Sequence, residues 1–381
     1  MTSAPIFIAD YSVACALGAD RAEVMRNLFA GAAYTETARL VGGREIPVGR
    51  LPFALMGDAD ETRTNWILAH VYAPLAAQIE QAKARYGAHR VGVVIGTSTS
   101  GIGEAGEAIK LKLTEGRWPS GFSLRPQLLG DTARYLALIS GAEGPAYTVS
   151  TACTSGAKAL AAAGRMLRAD VCDVVIAGGV DSLCDLTING FAALDSISDH
   201  RANPMSANRN GIHIGEGGGL FIVTREAGPY RLAGWGESSD AHHMSAPDPT
   251  GAGAELAWRR AMTMAGGAGA DYAHLHGTAT KLNDAMEAGL IDRVLGRDIP
   301  TSSTKGMTGH TLGAAGAVQA AFCLMALETE KLPPHVWDGV RDPDLPPIRL
   351  AEIGETAALK HVMSASYAFG GNNCALILAL G

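Results

Sequence analysis

The sharpest change of pattern along the chain falls between residues 147 and 168. The run Tyr147-Thr148-Val149-Ser150 is short and rich in β-branched residues, and it predicts a buried strand. From Cys153 onward the chain turns to Ala157, Lys158, Ala159, Leu160 and further alanines up to Arg168, which predicts a helix. A second apolar strand follows at 173–179. The same order returns later, as a short polar stretch at 301–304, a helix from about 312 to 327 and a strand at 361–364. Both helices are rich in Ala and Gly, so their backbones could approach closely at the centre of a molecule. Two unrelated alanine-rich core helices would read the same way. The strand 220–224, followed by Arg225-Glu226-Ala227-Gly228-Pro229, marks a junction near residue 230. Alternating strands and helices argue for an α/β arrangement.

With 381 residues the chain could hold two or three average domains or one large pseudo-symmetric unit. Apolar residues make up 47% and charged residues 18%, a balance that fits a globular enzyme with a large buried fraction. A net charge of -7 argues against nucleic acid as a partner and gives no reason for attraction to anionic membranes. The opening residues lack the basic region and apolar core of a signal peptide, and no continuous apolar run approaches the ~20 residues of a transmembrane segment. A cytoplasmic location is therefore the expectation. The six cysteines have no metal-ligand spacing, so five buried small residues and one nucleophile are expected, with no metal.

That nucleophile would be Cys153, in Thr151-Ala152-Cys153-Thr154-Ser155-Gly156. A thiol at a helix start lies beside unpaired N–H groups and the positive end of the dipole, which favours its thiolate. An inert buried thiol is the plain alternative. Two distant motifs bear on the choice: His276 in Leu275-His276-Gly277-Thr278-Ala279-Thr280, and His310 in Lys305-Gly306-Met307-Thr308-Gly309-His310-Thr311-Leu312-Gly313. Each stands in glycine-rich, turn-forming surroundings after an apolar run. One cysteine and two imidazoles suit acyl transfer, in which a thiolate takes an acyl group as a thioester and imidazoles address the reacting carbonyls.

With these motifs, and with Gly215-Glu216-Gly217 and the closing loop Ser366-Tyr367-Ala368-Phe369-Gly370-Gly371-Asn372-Asn373, the chain resembles the β-ketoacyl-[acyl carrier protein] synthases of Cys-His-His type over essentially its whole length. The resemblance implies the thiolase-like fold, two pseudo-repeated halves forming a five-layered α-β-α-β-α core, here divided as 1–230 with the cysteine and 231–381 with the histidines. It implies an acyltransferase that performs decarboxylative Claisen condensation of an acyl thioester, held on Cys153, with malonyl carrier protein, in fatty acid, polyketide or aryl-polyene type elongation. No cofactor is implied beyond the phosphopantetheine arm of acyl carrier protein. The expected partners are that carrier and a second synthase subunit, as a homodimer or as a heterodimer with a chain-length-factor-type chain.

By the same resemblance, His276 and His310 would stabilise the malonyl enolate, Lys305 would tune their hydrogen bonds, and the backbone N–H groups of Cys153 and Phe369 would receive the oxyanion. Thr278 and Thr280 would contact the pantetheine arm; Phe369 would gate the acyl pocket, which Ile212 and Tyr367 would help form. Asp284, Glu287 and Gln319 would support the site. The segment 91–103 looks like one that lies near the acyl pocket and dimer interface. Departures include Gln319 in place of the usual acid, Lys281, Ala279, Tyr367, and the stretch Pro204-Met205-Ser206 to Arg209-Asn210-Gly211-Ile212. A chain-length-factor-like partner would be expected to lack Cys153. A starter-unit synthase pairs cysteine with one histidine and asparagine, and a thiolase carries a second cysteine in the closing loop, where this chain has Tyr367 and Phe369. Arg63 and Arg209 are candidates for a carrier-docking patch.

Overall fold

The computed structural model describes residues 4–33, 36–57 and 61–381. Strands follow in chain order as β1 Phe7–Cys15, β2 Glu36–Arg39, β3 Glu45–Val48, β4 Val91–Gly96, β5 Ala146–Val149, β6 Val174–Asp181, β7 Gly217–Thr224, β8 Tyr230–Ser239, β9 Tyr272–His274, β10 Thr301–Ser302, β11 His361–Ala368 and β12 Asn372–Leu380. All but the β2-β3 hairpin join one sheet in the order β10-β9-β11-β12-β8-β1-β7-β6-β4-β5.

That order is one pattern used twice. β4 lies between β5 and β6 and parallel to both, β7 is antiparallel to β6, and β1 is antiparallel to β7. In the same way β9 lies between β10 and β11 and parallel to both, β12 is antiparallel to β11, and β8 is antiparallel to β12. The two sets touch where Phe7 faces Arg231 and Ile8 faces Tyr230.

The helices Ser155–Arg168 and Ala315–Thr329 pack against each other and against strands of both sets. Their small residues explain the closeness. A Cβ on Gly156 would lie 2.9 Å from the Ala317 nitrogen, and one on Gly316 only 2.7 Å from the Ala157 nitrogen. The segment Leu312–Thr329 is long and apolar enough to cross a bilayer, yet 89% of it is buried inside the protein, the signature of a central core helix. Outside the sheet, Arg63–Tyr72, Ala76–Tyr86 and Asp131–Ser140 cover one set of strands, and Ala252–Met264 and Lys281–Val294 cover the other. Helices, strands, central helices, strands and helices thus form the five-layered order expected of the thiolase-like fold.

The close approach of the central helices is open to direct test. Gly156→Ala is expected to lower stability by about 1–3 kcal/mol, because the new methyl meets backbone that has no room to move. In urea denaturation Gly190→Ala is the control, since its added methyl meets nothing within 4 Å beyond its chain neighbours and its own helix backbone; equal midpoints for the two variants would show that the Gly156 contact carries no weight.

Candidate active site

Cys153 sits in the turn between β5 and the helix Ser155–Arg168, two residues ahead of the helix rather than at its first position. Ala152 holds the left-handed φ of 53°, and Ser155 N donates to Ala152 O at 3.0 Å, so the chain doubles back and drives the thiol inward. His276 follows β9. His310 follows Gly309 (φ 71°), with its backbone N–H donating to His213 O at 2.8 Å. These turns from the two sets of strands converge: His310 Nε2 lies 3.1 Å from Cys153 Sγ, and the imidazole rings of His276 and His310 stand edge-on with centroids 5.3 Å apart. The sulfur and one nitrogen of each ring lie within 4.8 Å of one another, a set that could also hold a soft cation.

Burial governs the charges here. It pushes the Cys153 thiol up to about 12, against an opposing pull from the Lys305 charge, so the thiolate expected from a helix start is outweighed by lost solvation. Burial also holds His276 and His310 well below the usual imidazole range, with the Lys305 charge adding to it. At neutral pH the resting site is a thiol beside two neutral imidazoles. Lys305 is itself buried and lowered by burial; its ammonium donates to His276 O and, at 3.2 Å, to Gln319 Oε1.

The supporting acids divide. Glu287, fully buried rather than exposed on its helix, accepts from the backbone N–H of His276 and of Gly277, each at 2.7 Å. Asp284 is equally buried but serves another loop, accepting from Met205 N at 2.8 Å, so it does not hold the histidines directly. Both arginines read as a docking patch are paired with carboxylates, Arg209 inside the protein and Arg63 at a part-exposed position. Arg209 is buried and pairs with Asp342, and Arg63 binds Glu216, a carboxylate with no exposure, at 2.5 Å. Their partners lie far along the chain, which composition could not reveal.

A cavity of about 300 Å³ reaches the site, with Cys153, His276 and His310 on its wall. Thr278, Thr280, Ile212, Tyr367 and Phe369 line it as expected, and so do Phe191, Leu194, Asp240, Ser245 and Asn283, which no motif had marked. Phe369 is 38% exposed and packs on Phe191 with ring centroids 5.7 Å apart. Tyr367 is buried edge-on to His276 at 5.7 Å. The run Gly96-Thr97-Ser98-Thr99-Ser100-Gly101 is not on the cavity wall; it wraps Asp181 instead. This buried carboxylate accepts from Thr97 Oγ1 at 2.6 Å, Thr99 Oγ1 at 2.7 Å and Gly313 N at 2.5 Å, which ties the first set of strands to the loop just beyond His310. An acid closing the apolar strand Gly178-Gly179-Val180-Asp181 was the available signal.

Comparison with known proteins agrees with this geometry. Residues 70–228 match the family model described as beta-ketoacyl synthase, N-terminal domain, and residues 230–337 match beta-ketoacyl synthase, C-terminal domain. The 3-oxoacyl-[acyl-carrier-protein] synthase 2 of Rhizobium meliloti is 31% identical over 371 residues, covering 86% of this chain and 87% of that protein. Its namesake in Vibrio cholerae is 33% identical, with 76% of each chain covered. Among solved structures, the ketosynthase ApeO in complex with its chain length factor ApeC from Xenorhabdus doucetiae is 38% identical with a TM-score of 0.94, covering 99% of this chain and 98% of that one. A beta-ketoacyl synthase from Burkholderia phymatum is 25% identical with a TM-score of 0.87, covering 99% of each chain.

The Glu287 carboxylate is the support most open to test. In Glu287→Gln one of the two backbone N–H groups must face an amide NH₂, leaving a buried donor unpaired at a cost of about 1–3 kcal/mol. A urea midpoint equal to that of the parent protein would show that those two hydrogen bonds carry no weight.

Proposed function

The chain belongs to the β-ketoacyl synthase family, and on that basis we propose that Cys153, His276 and His310 carry a decarboxylative condensation of an acyl thioester with malonyl-[acyl carrier protein]. The enzyme is an acyltransferase of the 3-oxoacyl-[acyl-carrier-protein] synthase type. The observation that carries the assignment of residues is the 3.1 Å contact between Cys153 Sγ and His310 Nε2, with His276 beside them on the wall of one cavity.

In the first half-reaction Sγ attacks the acyl carbonyl, a new thioester forms on Cys153, and the thiol proton leaves with the departing pantetheine sulfur. The backbone N–H groups of Cys153 and Phe369 are the donors assigned to the oxyanion. In the second, the malonyl thioester loses carbon dioxide, and its enolate oxygen is held by N–H groups of the two imidazoles. The enolate carbon attacks the acyl-Cys153 carbonyl, the C–S bond breaks with its electron pair going to the cysteine sulfur, and that thiolate takes up one proton from solvent. Neutral imidazoles fit this chemistry, because carbon dioxide rather than a proton leaves the carbon, and a strong base has nothing to remove. Lys305 steadies His276 through its carbonyl. Thr278 and Thr280 meet the pantetheine arm, while Ile212, Tyr367 and Phe369 face the acyl chain, with Phe369 as the gate. These steps use no group beyond the phosphopantetheine arm of the substrates.

We assign the cysteine to a unit spanning 1–230 and the histidines to one spanning 231–381; the repeated strand order supports this division. Acyl carrier protein is the partner in catalysis. A heterodimer with a chain-length-factor-type subunit, rather than a homodimer, is supported by the likeness to a ketosynthase solved with its chain length factor, and the elongation served is of fatty acid, polyketide or aryl-polyene type. The cytoplasm is the assigned location.

Intact mass spectrometry after mixing the enzyme with acyl carrier and malonyl carrier separates the roles. Cys153→Ala is expected to show no acyl adduct. His310→Ala should still be acylated but release carbon dioxide from malonyl carrier ~10²–10³-fold more slowly, the usual penalty for losing one oxyanion donor. Undiminished condensation by either variant would overturn the assignment.

A further inference from the structure

The segment that carries His276 also builds the way out of the site. His276 and Thr278 are buried, Thr280 is half-buried, and Lys281 and Leu282 are exposed; all five line the cavity, so the chain climbs from its floor to its mouth. The path is held in place. Glu287 accepts from the backbone N–H groups of His276 and Gly277, and Ala279 O accepts from Gly211 N at 3.0 Å. Gly277 (φ 43°) and Ala279 (φ 63°) take left-handed backbone, and the hydroxyls of Thr278 and Thr280 come together with their Oγ1 atoms 3.0 Å apart.

Charge is sorted by depth along this wall. The floor holds a thiol and two neutral imidazoles, whereas Lys281, the only Lys or Arg lining the cavity among the described residues, stands at the mouth. Asp240, the only Asp or Glu lining it, is engaged elsewhere: it accepts from Asn373 Nδ2 at 2.6 Å and from Asp248 N at 3.2 Å. Asp342, near enough to feel the Lys281 charge, is paired with Arg209. Among the described residues no carboxylate holds the Lys281 ammonium.

A thioester on a phosphopantetheine arm has the opposite order of polarity. Its reacting carbonyl is uncharged, its amides come next, and its phosphate lies at the far end. With the thioester at Cys153 and the arm passing Thr278 and Thr280, the phosphate is left for the mouth. An ammonium on a flexible four-carbon stem is a point charge suited to it.

We propose that Lys281 binds the phosphate of the phosphopantetheine arm and makes the site prefer phosphorylated over unphosphorylated thioesters. Lys281 is a departure from the family pattern, so this contact belongs to the present chain. The proposal rests on the reading of Cys153 as the acyl-bearing nucleophile. Acylation of Cys153 is followed by intact mass at low ionic strength with two small thioesters, an acyl-phosphopantetheine and the same acyl-pantetheine lacking the phosphate. The parent is expected to react ~5-fold faster with the phosphorylated one, the upper end for an exposed ion pair, and to lose that margin as salt is raised. In Lys281→Met the ratio of the two rates should fall to about one, in Lys281→Arg it should be retained, and in Lys281→Glu it should drop below one. A parent-like ratio in Lys281→Met overturns the proposal, even where both rates fall together. So does a Lys281→Met defect seen only with whole acyl carrier, which would set the ammonium against a carrier side chain. A parent whose Cys153 takes no acyl group even from acyl carrier would instead overturn the reading of the nucleophile.

Discussion

Two backbones in contact at Gly156 and Gly316 are the constraint on which the site depends. Because neither glycine has room for a Cβ, the central helices pack closely enough for a thiol from one set of strands to stand 3.1 Å from an imidazole of the other. Asp181 reinforces the joint by binding the 97–99 loop and Gly313 together. Neither set of strands holds a complete site. The chemistry exists only where they meet, and a small shift between the halves would separate the sulfur from His310.

Closeness of packing also sets the charges. The same tight centre that aligns Cys153, His276 and His310 removes their water, and desolvation favours the neutral form of each. A thiol with neutral imidazoles is poorly suited to proton abstraction from carbon and well suited to receiving an enolate that decarboxylation has already made. Lys305 is the counterweight, a buried cation held by a carbonyl and an amide, whose charge favours an anionic sulfur once one forms.

Much of this was legible in the chain. The β-branched run before Cys153 announces a strand, although β5 lies at the edge of the sheet and is part-exposed rather than buried as expected; the Ala- and Gly-rich helices after residues 153 and 312 announce themselves by local composition, and the turn glycines around His276 and His310 mark loops that present side chains. What could not be read came from contacts between distant segments. The thiol's raised pKa depends on how completely the other half covers it, whereas a helix start argues only from local dipoles. Asp181 closes an ordinary apolar strand, and its donors come from residues 97–99 and 313. Asp284 and Glu287 are one turn apart on a single helix, yet one serves Met205 and the other His276 and Gly277. Arg63 and Arg209 looked like free surface cations because Glu216 and Asp342 lie 153 and 133 residues away.

At rest the assembled site is an uncharged thiol beside two uncharged imidazoles. Nitrogen chemical shifts of His276 and His310 in histidine-labelled protein, assigned by single substitution, test it most directly. Neutral-imidazole shifts that stay constant through the neutral pH range are the expected result. Imidazolium shifts for His310 that revert to neutral values in Cys153→Ala would instead reveal a resting thiolate-imidazolium pair.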